Sequence, residues 1–322
     1  MVQSLVDFAR GKLAALEQQQ LRRTLFDTER LEGAIAIRDG KRLISFACND
    51  YLNLSQQPAV KQAAIAATER YGVGSGASRL VTGNHPLFRE LEARLAALKG
   101  TDDACVFGSG YLANLGIIPA LIGPGDLLLA DELSHSCLLA GGALCKAEVV
   151  IFRHNDMAHL AEILDGKRQD FNRAMIVTDG VFSMDGDLAP VGEMQALAAR
   201  YDAWLMTDDA HGIGVLGGGS GSNHLDGNHT PVPLQMGTLS KAIGGYGGYL
   251  CAAQPVIDLM RTRARTFIYS TGLPPASVAA SIAALDVIAQ YPDYAALPVV
   301  KARLFCAAAG LPEPQSCIVP ML

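Results

Sequence analysis

The sequence predicts an α/β fold: a mainly parallel sheet covered on both faces by helices, an N-terminal helix-and-hairpin arm, and the start of a small C-terminal α+β domain. Two observations carry this. From residue 103 onward, short apolar runs alternate with helical patterns. Two of those runs also end in reactive side chains. Trp204-Leu205-Met206-Thr207 leads into Asp208, Asp209 and His211, and Leu234-Gln235-Met236 leads into Gly237-Thr238-Leu239-Ser240-Lys241. In such sheets ligands gather at the carboxyl ends of strands, so both stretches would open onto one site.

Taken in order, residues 4–23 read as an amphipathic helix, with Leu5, Phe8, Leu13 and Leu16 near helical spacing and Arg22 and Arg23 at its carboxyl end, where cations are favoured. Ala34-Ile35-Ala36-Ile37 and Leu43-Ile44-Ser45-Phe46 flank Arg38-Asp39-Gly40-Lys41, a hairpin signal. Asn49-Asp50-Tyr51 then starts the main domain, expected over 49–285. A helix is expected over 58–71 and another from Pro86 to Lys99. Between them, Gly72-Val73-Gly74-Ser75-Gly76-Ala77-Ser78-Arg79 would let backbone amides approach an anion. It is not a P-loop, because no Gly-Lys-Ser/Thr follows at the right spacing.

Strands are expected at 104–107, 127–130, 149–152, 174–178, 204–207, 234–236 and 249–252, with helices near 111–121, 156–165 and 191–201. The stretch 217–233 is polar and glycine-rich and reads as a surface excursion. Helices follow over 275–290 and 299–310, and Ile318-Val319-Pro320-Met321-Leu322 reads as the beginning of a strand in a domain spanning 286–322.

Composition narrows the function. Of 322 residues, 50% are hydrophobic and 18% charged, the balance of a globular protein. A net charge of −6 gives no general attraction to nucleic acid or anionic membrane. No apolar run reaches membrane-spanning length, and Met1-Val2-Gln3-Ser4 lacks a secretory pattern, so a cytoplasmic protein is expected. The seven cysteines form no CxxC pair and read as reduced, mostly buried thiols. No metal site is expected, since no second His or Cys group lies at ligand spacing from Asp208 and His211.

Lys241 sits on a turn at a strand end among glycines, which suits an amine that condenses with an aldehyde cofactor. Asp208 could keep a pyridine nitrogen protonated, and His211 could bond a phenolic oxygen; the alternatives are a helix-capping pair of aspartates and a loop histidine. Gly108-Ser109-Gly110-Tyr111 opens a helix after a strand, where amides and the helix dipole would hold a phosphate.

Together these residues resemble the pyridoxal-phosphate (PLP) enzymes of the aspartate-aminotransferase fold, and within them the α-oxoamine synthases. The resemblance spans almost the whole chain, through Asn49-Asp50-Tyr51-Leu52, Gly74-Ser75-Gly76-Ala77-Ser78-Arg79, Gly83-Asn84-His85, Asp131-Glu132-Leu133-Ser134-His135, Thr178-Asp179-Gly180-Val181-Phe182-Ser183 and Tyr269-Ser270-Thr271-Gly272-Leu273-Pro274-Pro275. It implies PLP held by Lys241, phosphate contacts from Gly110 and Tyr111, hydroxyl contacts from Ser183 and Thr238, and His135 stacked on the ring. Catalytic roles fall to Lys241, His135, Asp208 and His211, with Arg22, Asn49 and His135 on the substrates. It further implies a homodimer, with 75–78 near the partner's cofactor, and a condensation of L-alanine with a pimeloyl thioester. Glycine-using and sphingoid-base members share the same motifs, and a catalytically impaired partner subunit is the reading from another class. The family's small domain runs longer and carries an arginine that grips the amino-acid carboxylate, so an incomplete small domain is expected.

Overall fold

A computed structural model describes residues 2–321; the final residue of the expected C-terminal strand lies outside them. The chain forms two compact units, residues 1–48 and residues 49–322.

In the first unit, α1 (Gln3–Gln18) is shorter than expected. Gln20 adopts φ 57°, a left-handed conformation that ends a helix, and the amide of Leu21 closes on the carbonyl of Leu16. Arg22 and Arg23 therefore lie beyond the helix rather than in its last turn. The hairpin forms as β2 (Ile35–Arg38) and β3 (Lys41–Ile44), turning through Asp39 and Gly40 at positive φ. A strand the sequence analysis missed, β1 (Thr28–Arg30), pairs antiparallel with β2.

The second unit opens with α2 (Pro58–Tyr71) and α3 (Leu87–Lys99). The sheet and its crossovers follow: β4 (Asp103–Phe107), α4 (Gly110–Leu121), β5 (Leu127–Asp131), α5 (Ser136–Cys145), β6 (Glu148–Phe152), α6 (Met157–Lys167), β7 (Ala174–Asp179), α7 (Val191–Arg200), β8 (Trp204–Asp208), β9 (Leu234–Thr238) and β10 (Gly248–Ala252). The helices α8 (Gln254–Arg263), α9 (Arg265–Ile268), α10 (Pro275–Gln290) and α11 (Pro292–Ala309) complete the described chain.

The seven strands lie in the order β4-β10-β9-β8-β7-β5-β6. All pairings are parallel except those of β10, which runs antiparallel to β4 and β9. Alternation sends successive side chains to opposite faces. Leu128 and Ala130 of β5 join Ile117 and Leu138 under α4 and α5, whereas Leu127 and Leu129 join Leu160 and Met194 under α6 and α7. Burial on both faces is why these strands read as continuous apolar runs.

Two expectations fail here and a third holds in part. Residues 217–233 are a surface excursion only in part: they hold short 3-10 turns at Gly217–Gly219 and Ser222–Gly227, with Ser222 and Asn223 buried, while Gly227, Asn228, His229 and Pro231 are exposed. The helix expected from 299 begins at Pro292. Residues 318–321 form no strand. Residues 286–322 belong to the same compact unit as 49–285, and Ile288 and Ala295 pack into the core that holds Leu54, Phe88 and Ile243.

Candidate functional site

β5 lies between β6 and β7, where the chain's progression across the sheet reverses direction. At such a switch point the loops leaving the strand ends part and leave a crevice. Four of these ends carry the site. β5 leads to Leu133-Ser134-His135, β7 ends in Asp179 and β8 in Asp208, and the last two are register partners on neighbouring parallel strands. Lys241 follows β9 by three residues.

Asp208 is 4% exposed. Its Oδ1 accepts the amide of Ala210 at 3.0 Å and its Oδ2 accepts Asn114 Nδ2 at 2.7 Å. Asn114 also donates to Cys137 Sγ at 3.0 Å, and Cys137 Sγ lies 2.7 Å from His135 Nδ1. Burial pushes the Cys137 thiol up to about 12, with the negative field of Asp208 adding to it. The sulfur therefore keeps its proton and donates it to the ring nitrogen, which also accepts the Cys137 amide at 3.3 Å. His135, exposed at the amino end of α5, is thus linked to Asp208 through Cys137 and Asn114.

Asp209 points the other way. Lys99 Nζ donates to its Oδ2 and to the carbonyl of Ser220, each at 2.7 Å, and the Ser222 amide donates to Oδ1 at 3.0 Å. Both partners of this ion pair are fully buried. Gly221, at φ 103°, passes so close to the Asp209 carboxylate that a Cβ would collide with it. The pair is a closed structural unit, as the alternation of Asp208 and Asp209 along one strand requires.

Lys241 is half-buried, and its Nζ bonds His211 Nε2 at 2.6 Å rather than a carboxylate. Burial lowers its pKa, against the opposing pull of Asp208 and Asp179. Burial, with the electrostatic influence of neighbouring Lys241 and then His135 adding to it, lowers His211 to about 3. A neutral imidazole has a single N–H. With Nε2 accepting from Lys241, Nδ1–H donates to the Tyr51 hydroxyl 2.7 Å away. Asp179, buried beside Asp208, has its pKa raised well above the usual carboxylate range and accepts the His135 amide at 2.7 Å.

The other expected groups are placed as follows. The Ser109 hydroxyl caps α4 by accepting the Leu112 amide at 3.1 Å. The first intrahelical bond then runs from Ala113 to the carbonyl of Ser109, so the Gly110 and Tyr111 amides sit in the turn whose N–H groups a helix leaves unpaired. A Cβ on Gly110 would press on Met236 and Thr238 at 3.3 Å, and one on Gly248 would meet the Ser109–Gly110 backbone. The Thr238 hydroxyl donates to Gly247 O and bonds Ser240 Oγ, both at 2.8 Å, holding the Lys241 turn. Ser183 lies half-buried in the turn after β7. Asn49 is exposed at the start of the second unit. Arg22 belongs to the first unit, exposed and paired with Glu17 at 2.8 Å. The Lys241–Asp208 cluster is built from residues of the second unit alone.

Sequence reasoning missed Asn114, Cys137 and Asp179, and gave Tyr51 no role. Asp179 had a visible signal, a carboxylate ending an apolar strand. Asn114 sits in a helix that reads as apolar throughout, and its role follows only from packing.

These residues suit PLP: an amine of lowered pKa, a buried carboxylate held open toward the cleft by Asn114, and a glycine-lined helix start that leaves room for a phosphate. The described residues hold no group of three or more His, Cys, Asp or Glu suited to a metal, and none of their helices is long and apolar enough to cross a membrane.

Comparison with known proteins agrees. The 8-amino-7-oxononanoate synthase of Methylocella silvestris is 65% identical over 286 residues, covering 89% of this chain and 81% of that protein. The same-named protein of Beijerinckia indica is 59% identical over 319 residues, 99% of this chain and 83% of that one. A serine palmitoyltransferase from S. paucimobilis, solved with a bound PLP–myriocin adduct, superposes with a TM-score of 0.87 at 28% identity, covering 98% of this chain and 81% of that one. The family model for aminotransferase class I and II matches residues 41–307. The chain belongs to that family, whose cofactor is PLP.

Proposed function

We propose that the chain catalyses the reaction of the 8-amino-7-oxononanoate synthases in biotin biosynthesis: decarboxylative condensation of L-alanine with a pimeloyl thioester, on CoA or a carrier protein, giving 8-amino-7-oxononanoate, CO2 and the free thiol. The likeness to proteins of that name over nearly the whole chain supports the substrates. One structural observation carries the chemistry. Lys241, with a lowered pKa, rests on a neutral imidazole beside a carboxylate whose geometry is fixed by Asn114.

PLP supplies the electron sink that allows a carbanion to form at the amino-acid α-carbon. Everything else falls to the chain. Lys241 holds the cofactor through its amine and, once released, takes the α-proton; a lowered pKa makes the free base available for both tasks. Asp208 accepts the pyridine N–H. His211 and Ser183 steady the phenolic oxygen, and the Tyr51 hydroxyl, able to donate or accept, supports either imidazole tautomer. His135 stacks on the ring. Gly110 and Tyr111 amides hold the phosphate with Thr238 alongside, and Asn49 and Arg22 meet the substrates. The protein is a cytoplasmic homodimer, with residues 75–78 near the partner's cofactor and Val73, Leu80 and Val81, exposed here, at the contact.

The test is product analysis. With PLP, L-alanine and pimeloyl-CoA the purified chain should release CoA and form 8-amino-7-oxononanoate by mass spectrometry. Glycine or L-serine with acetyl-, succinyl- or palmitoyl-CoA should be far poorer. Preference for one of those pairs would overturn the substrate assignment, and light scattering that finds only monomer in the PLP-loaded protein would overturn the dimer.

A further inference from the structure

His154, at the end of β6, is bonded through both ring nitrogens to carboxylates of two other segments. Nδ1 lies 2.9 Å from Asp131 Oδ1 and Nε2 lies 2.7 Å from Asp187 Oδ2. Each aspartate also fixes backbone. Asp131, fully buried at the end of β5, accepts the Leu133 amide at 2.9 Å and the Asn155 amide at 2.8 Å. Asp187 closes the turn after β7, with its carbonyl accepting the Phe182 amide at 3.0 Å. The Asp131 carboxylate therefore shapes the loop that ends in His135, and Asp187, through its main-chain carbonyl, closes the turn that contains Ser183.

We infer that His154 is a positioning residue, a clamp whose bonds to Asp131 and Asp187 hold the His135 loop and the Ser183 turn at a fixed separation across the cofactor cleft. The inference rests on the PLP reading of that cleft. Hydrogen accounting defines the clamp's state. Asn155 Nδ2 lies 3.0 Å from Asp187 Oδ2 and 3.2 Å from both the carbonyl of Leu188 and His154 Nε2. Nε2 and an ionised Asp187 Oδ2 only 2.7 Å apart cannot both be bare acceptors, so that contact takes its hydrogen from the ring. Two ring nitrogens donating to two carboxylates means an imidazolium.

The surroundings agree. The His154 amide is held by Glu132 Oε1 at 2.8 Å, and the ring sits edge-on to Phe182, with centroids 4.4 Å apart. The neighbouring Arg153 pairs with Asp156. The charged groups bonded to the ring are Asp131 and Asp187, with the Glu132 carboxylate on the His154 amide, and all three are acidic. Burial alone would lower the pKa of His154, but the bonds to Asp131 and Asp187 outweigh it, and the net shift is upward from 6.5. For a raised histidine the sign is fixed: the clamp is at full strength below its unfolded value of 6.5 and is lost as pH rises through the folded value. Losing one ring proton leaves the ring donating to only one of the two carboxylates.

Two measurements test this, one of them independent of cofactor. In apo protein labelled with 15N-histidine, long-range 15N–1H spectra at about neutral pH should show both His154 nitrogens protonated. The signal is assigned by its absence in His154→Gln or, should that variant not fold, by its contact with the Phe182 ring. A neutral single-tautomer ring below about pH 6.5 would overturn the clamp. PLP affinity is then titrated by absorbance for the parent and for His154→Gln. Loss of a charge-assisted bond should weaken PLP about tenfold at about pH 6.5, and the ratio should shrink as pH rises and the parent's own clamp opens. A ratio independent of pH would overturn it. Failure of the parent to bind PLP would refute the proposed function, and the nitrogen spectra would still decide the clamp.

Discussion

Two lysines share one pair of consecutive aspartates and meet opposite fates. Lys99 donates to Asp209 and to a main-chain carbonyl, and both charges are sealed from solvent. Lys241 has a neutral histidine as its hydrogen-bond partner, and its pKa falls. Strand alternation alone separates them: Asp208 turns toward the cleft of β5, β7 and α4, and Asp209 toward α3 and the 3-10 turns. A buried lysine with a complete set of acceptors is inert structure. A lysine that is partly buried without a carboxylate bonded to it has a lowered pKa, which leaves its amine available as a nucleophile and a base.

The largest expected effect sharpens the structural half. Lys99→Met leaves Asp209 buried without its cation, which should remove about 3–5 kcal/mol of stability. Chemical denaturation measures it, and a loss below about 1 kcal/mol would mean the pair is not sealed. Next comes the carboxylate on the reactive side. Asp208→Asn keeps the shape but loses the charge proposed to bind the pyridine N–H, and turnover should fall about a hundredfold or more with little change in denaturation midpoint. Comparable turnover in this variant would detach Asp208 from the chemistry.

The comparison also predicts opposite signs. A lysine whose pKa is lowered on folding binds fewer protons in the folded state, so it opposes folding at neutral pH and stops doing so as pH approaches its ordinary value of 10.5. Lys241→Met should therefore stabilise the apo protein at neutral pH by about 1 kcal/mol, while abolishing turnover. Destabilisation like that of Lys99→Met would erase the distinction. The smallest effect is at Tyr51, whose hydroxyl sets the far side of His211. Tyr51→Phe should lower kcat by less than about tenfold, with PLP still bound.

The strands and the polar residues that end them were legible because a two-sided sheet demands apolar runs and the site demands that they stop. What stayed hidden has physical reasons. Ser136–Cys145 shows no helical period because it is buried on several sides, against Ile118 and Leu128 among others. The residues from 217 onward look like a loop because they are rich in glycine. Those glycines instead let backbone close around the Lys99–Asp209 pair, whose partners lie more than a hundred residues apart. The two-residue spacing of His135 and Cys137 was visible, but the chain of bonds from Cys137 through Asn114 to Asp208 exists only once α4 and α5 pack together. The early end of α1 at Gln20 is a left-handed turn made by a residue without glycine's freedom, which propensity does not announce.

The central claim is that reactivity belongs to Lys241 and not to its buried counterpart. Borohydride reduction of the PLP-loaded protein, followed by peptide mapping, tests it most directly. The account predicts a single reduced pyridoxyl group, on the peptide containing Lys241. The label on the Lys99 peptide, on any other lysine, or on none would contradict it.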